Sequence, residues 1–402
     1  MLHRYFHCRG NNLKPNWADR IADIQPFRVM AILSRARELE AQGRKIVHME
    51  IGEPDFTTAA PIIAAGQQAL ASGQTHYSQA LGVPQLRQRI ADFYQERYQV
   101  EISAERIVVT PGASGALMLV SALLVNPGEG LLMADPGYPC NRHFLRVVEG
   151  IGQLVPIDAK DRYQLLADNA EKHWRENTVG AIVASPANPT GEILSRDELS
   201  ALSELCQRRG GTLVVDEIYH GLCYGDAAPS VLEVTDQAFV LNSFSKFFGM
   251  TGWRLGWIVA PESAVPSLDK LAQNLFIAAP TVSQYAALAA FDSETQVILE
   301  QRRKEFAARR DYLLPALQDL GFEVPHKPEG AFYLYANIAR FSMDSEQFCL
   351  DLLEQAGVAI TPGTDFGSHS ADQHVRFAYT TGMEKLQEGV ARIKAFLESR
   401  QR

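Results

Sequence analysis

From about residue 106 to residue 243, short apolar runs alternate with helical stretches, and this alternation constrains the fold more than any other feature of the chain. Arg106–Thr110, Gly130–Ala134, Gln153–Pro156, Gly180–Ser185, Gly211–Val215 and Phe239–Ser243 read as strands. Gly115–Val125, Pro139–Glu149 and Ser195–Arg208 read as helices between them. Strands joined by helices pair in parallel, and parallel sheets need both faces covered. The expected fold class is therefore α/β, with a mostly parallel sheet flanked by helices. Ligands of such sheets lie outside the carboxyl ends of the strands, so the polar residues there are the first candidates for chemistry.

The flanks read differently. Phe27–Gln42, Pro61–Ser72 and Val83–Tyr98 have helical spacing, and Ile46–Ile51 reads as a strand. After about residue 290 come a long charged helix, Gln296–Leu320, strands at Ala331–Ile338 and Val375–Ala378, and helices at Ser345–Gln355 and Glu384–Arg400. That is the pattern of a smaller α+β domain. The expected division is residues 1–50 as an arm and part of the small domain, 51–290 as the large domain, and 291–402 as the rest of the small one. Such a division suits a chain of 402 residues.

Composition narrows the function classes. A formal charge of −9 without a long basic run disfavours nucleic acid and anionic membranes as partners. No apolar run approaches the roughly 20 residues that span a bilayer. Five scattered cysteines without C-x-x-C spacing fit buried thiols in a reducing cytoplasm better than a disulfide frame or a zinc site. The ten histidines lack metal-ligand spacing, so no metal is expected. The charged helix Gln296–Leu320 reads as a solvated face.

Four polar groups fall at expected strand ends, and a fifth lies within a strand. Thr110-Pro-Gly-Ala-Ser-Gly115 is either an anion-binding turn, with backbone N–H groups and a helix N-terminus, or a plain turn capped by Ser114. Ser185-Pro-Ala-Asn-Pro-Thr-Gly191 fixes the Asn188 amide, for a ligand or for its own turn. Asp216, ending an apolar strand, needs a cation unless it caps a helix, and Tyr219 follows three residues later. Lys246 follows an apolar strand among small and aromatic residues, where burial lowers its pKa and frees the amine to attack a carbonyl. Ser243, Ser245 and Arg254 beside it offer hydroxyls and a guanidinium fork to a phosphate. Arg376, within an apolar strand, needs an anion, either a substrate carboxylate or an internal partner.

Taken in order, Ile51-Gly-Glu-Pro-Asp-Phe56, Tyr77-Ser-Gln-Ala-Leu-Gly82, Asn188-Pro-Thr-Gly191, Asp216-Glu-Ile-Tyr219, Ser243-Phe-Ser-Lys246 and Gly252-Trp-Arg254 resemble the class I/II aminotransferases of fold-type I. The resemblance runs from about Phe27 to the C-terminus. It implies a seven-stranded type of sheet and pyridoxal 5'-phosphate, held as a Schiff base on Lys246. Asp216 would pair with the pyridine nitrogen, and Asn188 and Tyr219 with the phenolic oxygen. Tyr138 would stack on the ring. The backbone at Gly112, Ala113 and Ser114, with Ser243, Ser245 and Arg254, would hold the phosphate. Gly52, Asn188 and Arg376 would hold the substrate's α-carboxylate. Tyr77 would reach the phosphate of a neighbouring subunit, which implies a homodimer. The implied reaction moves an amino group between an L-amino acid and a 2-oxo acid by a ping-pong mechanism. Two other readings stay open: a C–S lyase or other non-transaminating enzyme of the same fold, and a non-catalytic ligand sensor. The chain has Ser114 where some aspartate-using relatives carry lysine, and Tyr138 where many have tryptophan. No second arginine for a distal carboxylate can be placed.

Overall fold

The computed structural model describes residues 17–400. Its strands in chain order are β1 Val47–His48, β2 Ile107–Thr110, β3 Gly130–Asp135, β4 Ile151–Pro156, β5 Thr178–Ala184, β6 Thr212–Asp216, β7 Phe239–Ser243, β8 Gly256–Val259, β9 Tyr333–Asn337, β10 Val358–Ala359, β11 Thr361–Pro362 and β12 His374–Ala378. Strands β2 to β8 form one seven-stranded sheet in the order β2-β8-β7-β6-β5-β3-β4. Its ladders are parallel except for those of β8, which runs antiparallel to both β2 and β7. Sequence reading does not find β8. It is four residues long and follows β7 with no helix longer than the turn Thr251–Trp253 between them, so the strand–helix rhythm breaks there.

Period-two alternation sorts the sheet's side chains into two cores. Ala181, Val183, Leu213, Val215 and Val240 face one core. Ile182, Val214, Phe239 and Leu241 face the other. The last residues of three adjacent parallel strands, Ala184, Asp216 and Ser243, share the second face; Asp216 pairs with Ala184 and Leu241, and Ser243 lies two residues beyond Leu241. The first helix of that layer, Gly112–Leu124, begins three residues before the expected Gly115. The sequence therefore delivers a carboxylate, a hydroxyl and a helix N-terminus to one end of one face, and the small Ala184 leaves space beside them.

The C-terminal part is built on a three-stranded antiparallel sheet, β11-β12-β9. The N-terminal segment joins it: β1 pairs in parallel with β10 (Val47 with Val358), and the helix Arg28–Ala41 packs against β10 and β11. The expected strand Ile46–Ile51 contracts to Val47–His48 because the carbonyl of Glu50 is claimed by the side chains of Arg376 and Thr361 instead of by a ladder.

The helix Ser293–Asp319 has the expected solvated face, with Glu300 and Glu305 exposed, but also a buried one that the sequence reading did not give. It buries Leu299, Phe306, Leu313 and Leu317 at helical spacing, and even Arg309 is only 1% exposed. Arg309 is buried because Asp55 accepts both of its terminal nitrogens, at 2.8 and 3.0 Å, and the Phe56 and Phe306 rings flank it. A stripe interleaved with arginines hides an apolar face from a count of charges. Cys206, Cys223 and Cys349 are buried as expected, Cys140 is half-buried, and Cys8 lies outside the described residues.

Candidate active site

The expected residues converge on one cavity of about 470 Å³ at the carboxyl ends of β5, β6 and β7. Gly52, Ala113, Ser114, Tyr138, Asn188, Asp216, Tyr219, Ser243, Ser245, Lys246, Arg254 and Arg376 all line it. Gly112 lies just behind, against Arg254. Tyr77 does not reach this cavity; its ring is 81% exposed on the outer surface.

Asp216 closes β6. Its carboxylate is buried, accepts one hydrogen bond from the Ile218 N–H at 3.1 Å, and makes no ion pair among the described residues. No helix follows for it to cap. Burial pushes its pKa up to about 6, opposed by the Ile218 N–H and the positive charge of Lys246. A buried carboxylate left so nearly unpartnered is costly unless a cation enters the cavity.

Lys246 follows β7 by three residues, and its Nζ donates to the Gly52 carbonyl at 2.7 Å. Burial, with repulsion from Arg376 and Arg254, lowers its pKa to about 8, while Glu53 and Asp216 pull the other way. The amine thus has a sizeable neutral fraction near physiological pH, as a nucleophile or proton carrier requires. The Tyr219 hydroxyl shares a 2.8 Å hydrogen bond with the hydroxyl of Tyr333, and burial raises the pKa of both.

At the opposite end the helix Gly112–Leu124 presents its N-terminus. Ser114 makes no capping bond there, so the plain-turn alternative loses its bond. Gly112 has φ of 71°, and a Cβ would stand 2.6 Å from Arg254 Nη2, so only glycine lets the guanidinium lie against the turn. Ser243 is a brace more than a free donor. Its hydroxyl accepts the Ser245 N–H at 3.0 Å and points its hydrogen toward the Leu255 carbonyl or Ser245 Oγ. The turn is therefore a set of donors at one edge of the cavity, suited to a compact anion.

Arg376, in β12, is buried without a salt bridge among the described residues. Neutral oxygens hold it: Asn188 Oδ1 accepts from Nη1 at 2.9 Å, the Glu50 carbonyl accepts from Nη2 at 2.5 Å, and its guanidinium lies over the Tyr333 ring at 4.3 Å. Its buried Nε has no hydrogen-bond partner among the described residues. An internal ion pair is thus absent among the described residues, and the guanidinium keeps its charge and spare donors for an anion. Sequence reasoning missed Tyr333 and Glu50. Tyr333 sits in β9 opposite Ala378, next to Arg376 on β12, so the pairing of two short strands was the signal; Glu50 acts through its backbone and leaves no side-chain signature.

A model of the family "Aminotransferase class I and II" matches residues 44–393. The chain belongs to the class I and II aminotransferases. It is similar to a (5-formylfuran-3-yl)methyl phosphate transaminase of Methanocaldococcus jannaschii, 36% identical over 94% of this chain and 98% of that protein. It is also similar to a valine–pyruvate aminotransferase of Mycobacterium tuberculosis, 35% identical over 95% and 99%. Among solved structures, an aminotransferase from Mycobacterium tuberculosis superposes with a TM-score of 0.93 at 35% identity, covering 96% of this chain and all of the other. An aspartate aminotransferase from Thermus thermophilus with maleate superposes with a TM-score of 0.90 at 30% identity, covering 95% of this chain and all of the other. The reaction is accordingly the transfer of an amino group, and the lyase and sensor readings are not favoured. The family uses pyridoxal phosphate and acts on amino acids and 2-oxo acids. Among the described residues no helix is long and apolar enough to cross a membrane, and no cluster of metal-binding side chains occurs.

Proposed function

We propose that this aminotransferase binds pyridoxal 5'-phosphate covalently at Lys246 and acts as a homodimer. The observation that carries the reading is the buried Asp216 carboxylate, without an ion pair among the described residues, facing a cavity that also holds a lysine of depressed pKa. The donor set fits the cofactor in each part. Asp216 suits a protonated pyridine nitrogen, Asn188 and Tyr219 suit a phenolate, and Tyr138 offers a ring face. The Gly112–Ser114 turn, Ser245 and Arg254, braced by Ser243, suit a phosphate.

When bound, the cofactor supplies an electron sink for the substrate's Cα. The protein's own residues do the rest. Arg376 takes the α-carboxylate, with Asn188 and the Gly52 backbone beside it, and fixes the orientation of Cα in the cavity. Lys246 would hold the cofactor and, with its amine free, would accept the Cα proton and return it elsewhere. Asp216 would supply the negative charge that holds a protonated ring nitrogen. The two half-reactions use one site in turn, which gives ping-pong kinetics.

The dimer reading rests on exposed apolar side chains in neighbouring segments. Tyr77, Leu275 and Ile277 stand in solvent, and the Thr281 hydroxyl donates to the His76 carbonyl, tying the two segments together. In a dimer Tyr77 would serve the neighbour's phosphate site. The division into a large domain (51–290) and a small one (291–402 with 1–50) is part of the same reading, as is a cytoplasmic location, supported by unpaired cysteines at 140, 206, 223 and 349.

Absorption spectroscopy tests the central claim. A visible band in the purified protein, moved by an amino acid and restored by a 2-oxo acid, is expected. No band after cofactor is added would refute the bond at Lys246, and a band that no amino acid moves would refute the transfer at this site.

A further inference from the structure

Once the cofactor's partners are set aside, the remaining cavity wall is apolar on one side. The segment Phe27–Met30 opens the helix Arg28–Ala41 and contributes Phe27, Val29 and Met30 to the lining. Two contacts fix where it lies. The Phe27 ring sits 6.4 Å from that of Tyr138, the residue at the cofactor end. Asp365 accepts hydrogen bonds from the Arg28 and Val29 N–H groups, at 2.8 and 3.4 Å, and so pins the helix start. Its neighbour Phe366 lies against the Arg376 guanidinium at 4.8 Å. The segment thus spans the gap between the ring end and the carboxylate end. A side chain on a Cα held between those ends projects into this gap.

Charge narrows the choice further. Among the described residues the guanidinium groups in the lining are Arg254, beside the phosphate turn, and Arg376, at the carboxylate. The other charged lining side chains apart from Asp216 and Lys246 are Glu53 and Asp365, both acidic. A second carboxylate on the substrate would meet carboxylates and apolar surface there, and no further cation among the described residues of this protomer.

We infer that Phe27, Val29, Met30, Ile51 and Phe366 form the acceptor for the substrate side chain, and that the enzyme exchanges amino groups between amino acids and 2-oxo acids that carry one carboxylate and an apolar side chain. The inference rests on the aminotransferase site described above and adds the substrate class to it. An apolar wall of this kind discriminates by burial, at about 10- to 200-fold per methylene-sized difference in a well-formed pocket.

Two measurements on the full-length holoenzyme test it. In calorimetric titration the unreactive 4-methylpentanoate is expected to bind at least ~10-fold tighter than succinate. In rapid-mixing absorbance, leucine and phenylalanine are expected to move the visible band faster than aspartate and glutamate. Val29→Ala is expected to lower the preference for leucine over alanine by about tenfold. Succinate binding as tightly as 4-methylpentanoate, or aspartate or glutamate moving the band as fast as leucine, would overturn the substrate class and leave the aminotransferase site standing. A band that no amino acid moves would overturn both.

Discussion

Asp216 and Glu217 are adjacent carboxylates on opposite faces of one sheet, and their surroundings separate a group open to a cavity from a sealed one. Asp216 opens onto the cavity with a single hydrogen bond. Glu217 is sealed on the other face, where one carboxyl oxygen accepts from the Ser230 hydroxyl at 3.0 Å and the Val231 N–H at 2.9 Å. Near it His220 meets the Tyr98 hydroxyl at 2.8 Å, behind the aromatic layer of Tyr94 and Trp257. Burial is the leading cause on both faces, raising Asp216 to about 6 and Glu217 to about 8 and lowering His220 to about 3. The sealed face answers burial by staying neutral. The open face keeps space for a cation and has Lys246 within electrostatic reach. Low dielectric alone therefore does not mark a site; it does so where a cavity adjoins it.

Three substitutions probe that contrast. The largest effect is expected on the open face from Lys246→Ala, at least ~10⁴-fold in the rate of amino-group transfer measured in a single turnover, because the proton carrier proposed above would be gone. Residual turnover within tenfold of wild type would remove Lys246 from the chemistry. Asp216→Asn, nearly the same size, is expected to lose about 10²- to 10³-fold by the same assay, since an amide cannot neutralise a cation. An unimpaired variant would mean that the open carboxylate is as structural as its neighbour.

Glu217→Gln should be smallest, within roughly 3-fold in rate, and visible mainly in stability. Its sign follows from the raised pKa. The folded state favours the protonated acid, so this contribution is full below about 4.5 and is lost as pH rises through about 8. Glutamine does not titrate. The variant is therefore expected to match wild type near pH 5 and to exceed it in melting temperature near pH 9, by roughly 2 °C. A variant less stable at both ends would show that the acid is held charged.

Much of this was legible in the sequence, for identifiable reasons. Apolar runs ending in polar residues located the parallel strands, and the same runs placed Asp216 and Lys246 at the carboxyl edge. What escaped lacks a side-chain or rhythm signal. Strand β8 is too short and follows no helix. The Glu50 carbonyl holds Arg376 through backbone. Tyr333 reaches Tyr219 through the pairing of distant strands. The Phe27–Met30 wall becomes a wall only because Asp365, more than 330 residues away, pins its backbone.

Gly52 has a consequence for how this enzyme can change. A Cβ there would stand 1.9 Å from the Tyr333 hydroxyl, which is itself bonded to Tyr219. Replacing it would push Tyr333 away from the arginine it supports, so the floor of the pocket is closed to variation one residue at a time. The rim at Phe27–Met30 has no such lock: Met30 is 53% exposed, and its neighbours are held by their backbone. New substrate preferences, natural or engineered, therefore have an accessible route through the rim, while the chemistry beneath is inherited unchanged.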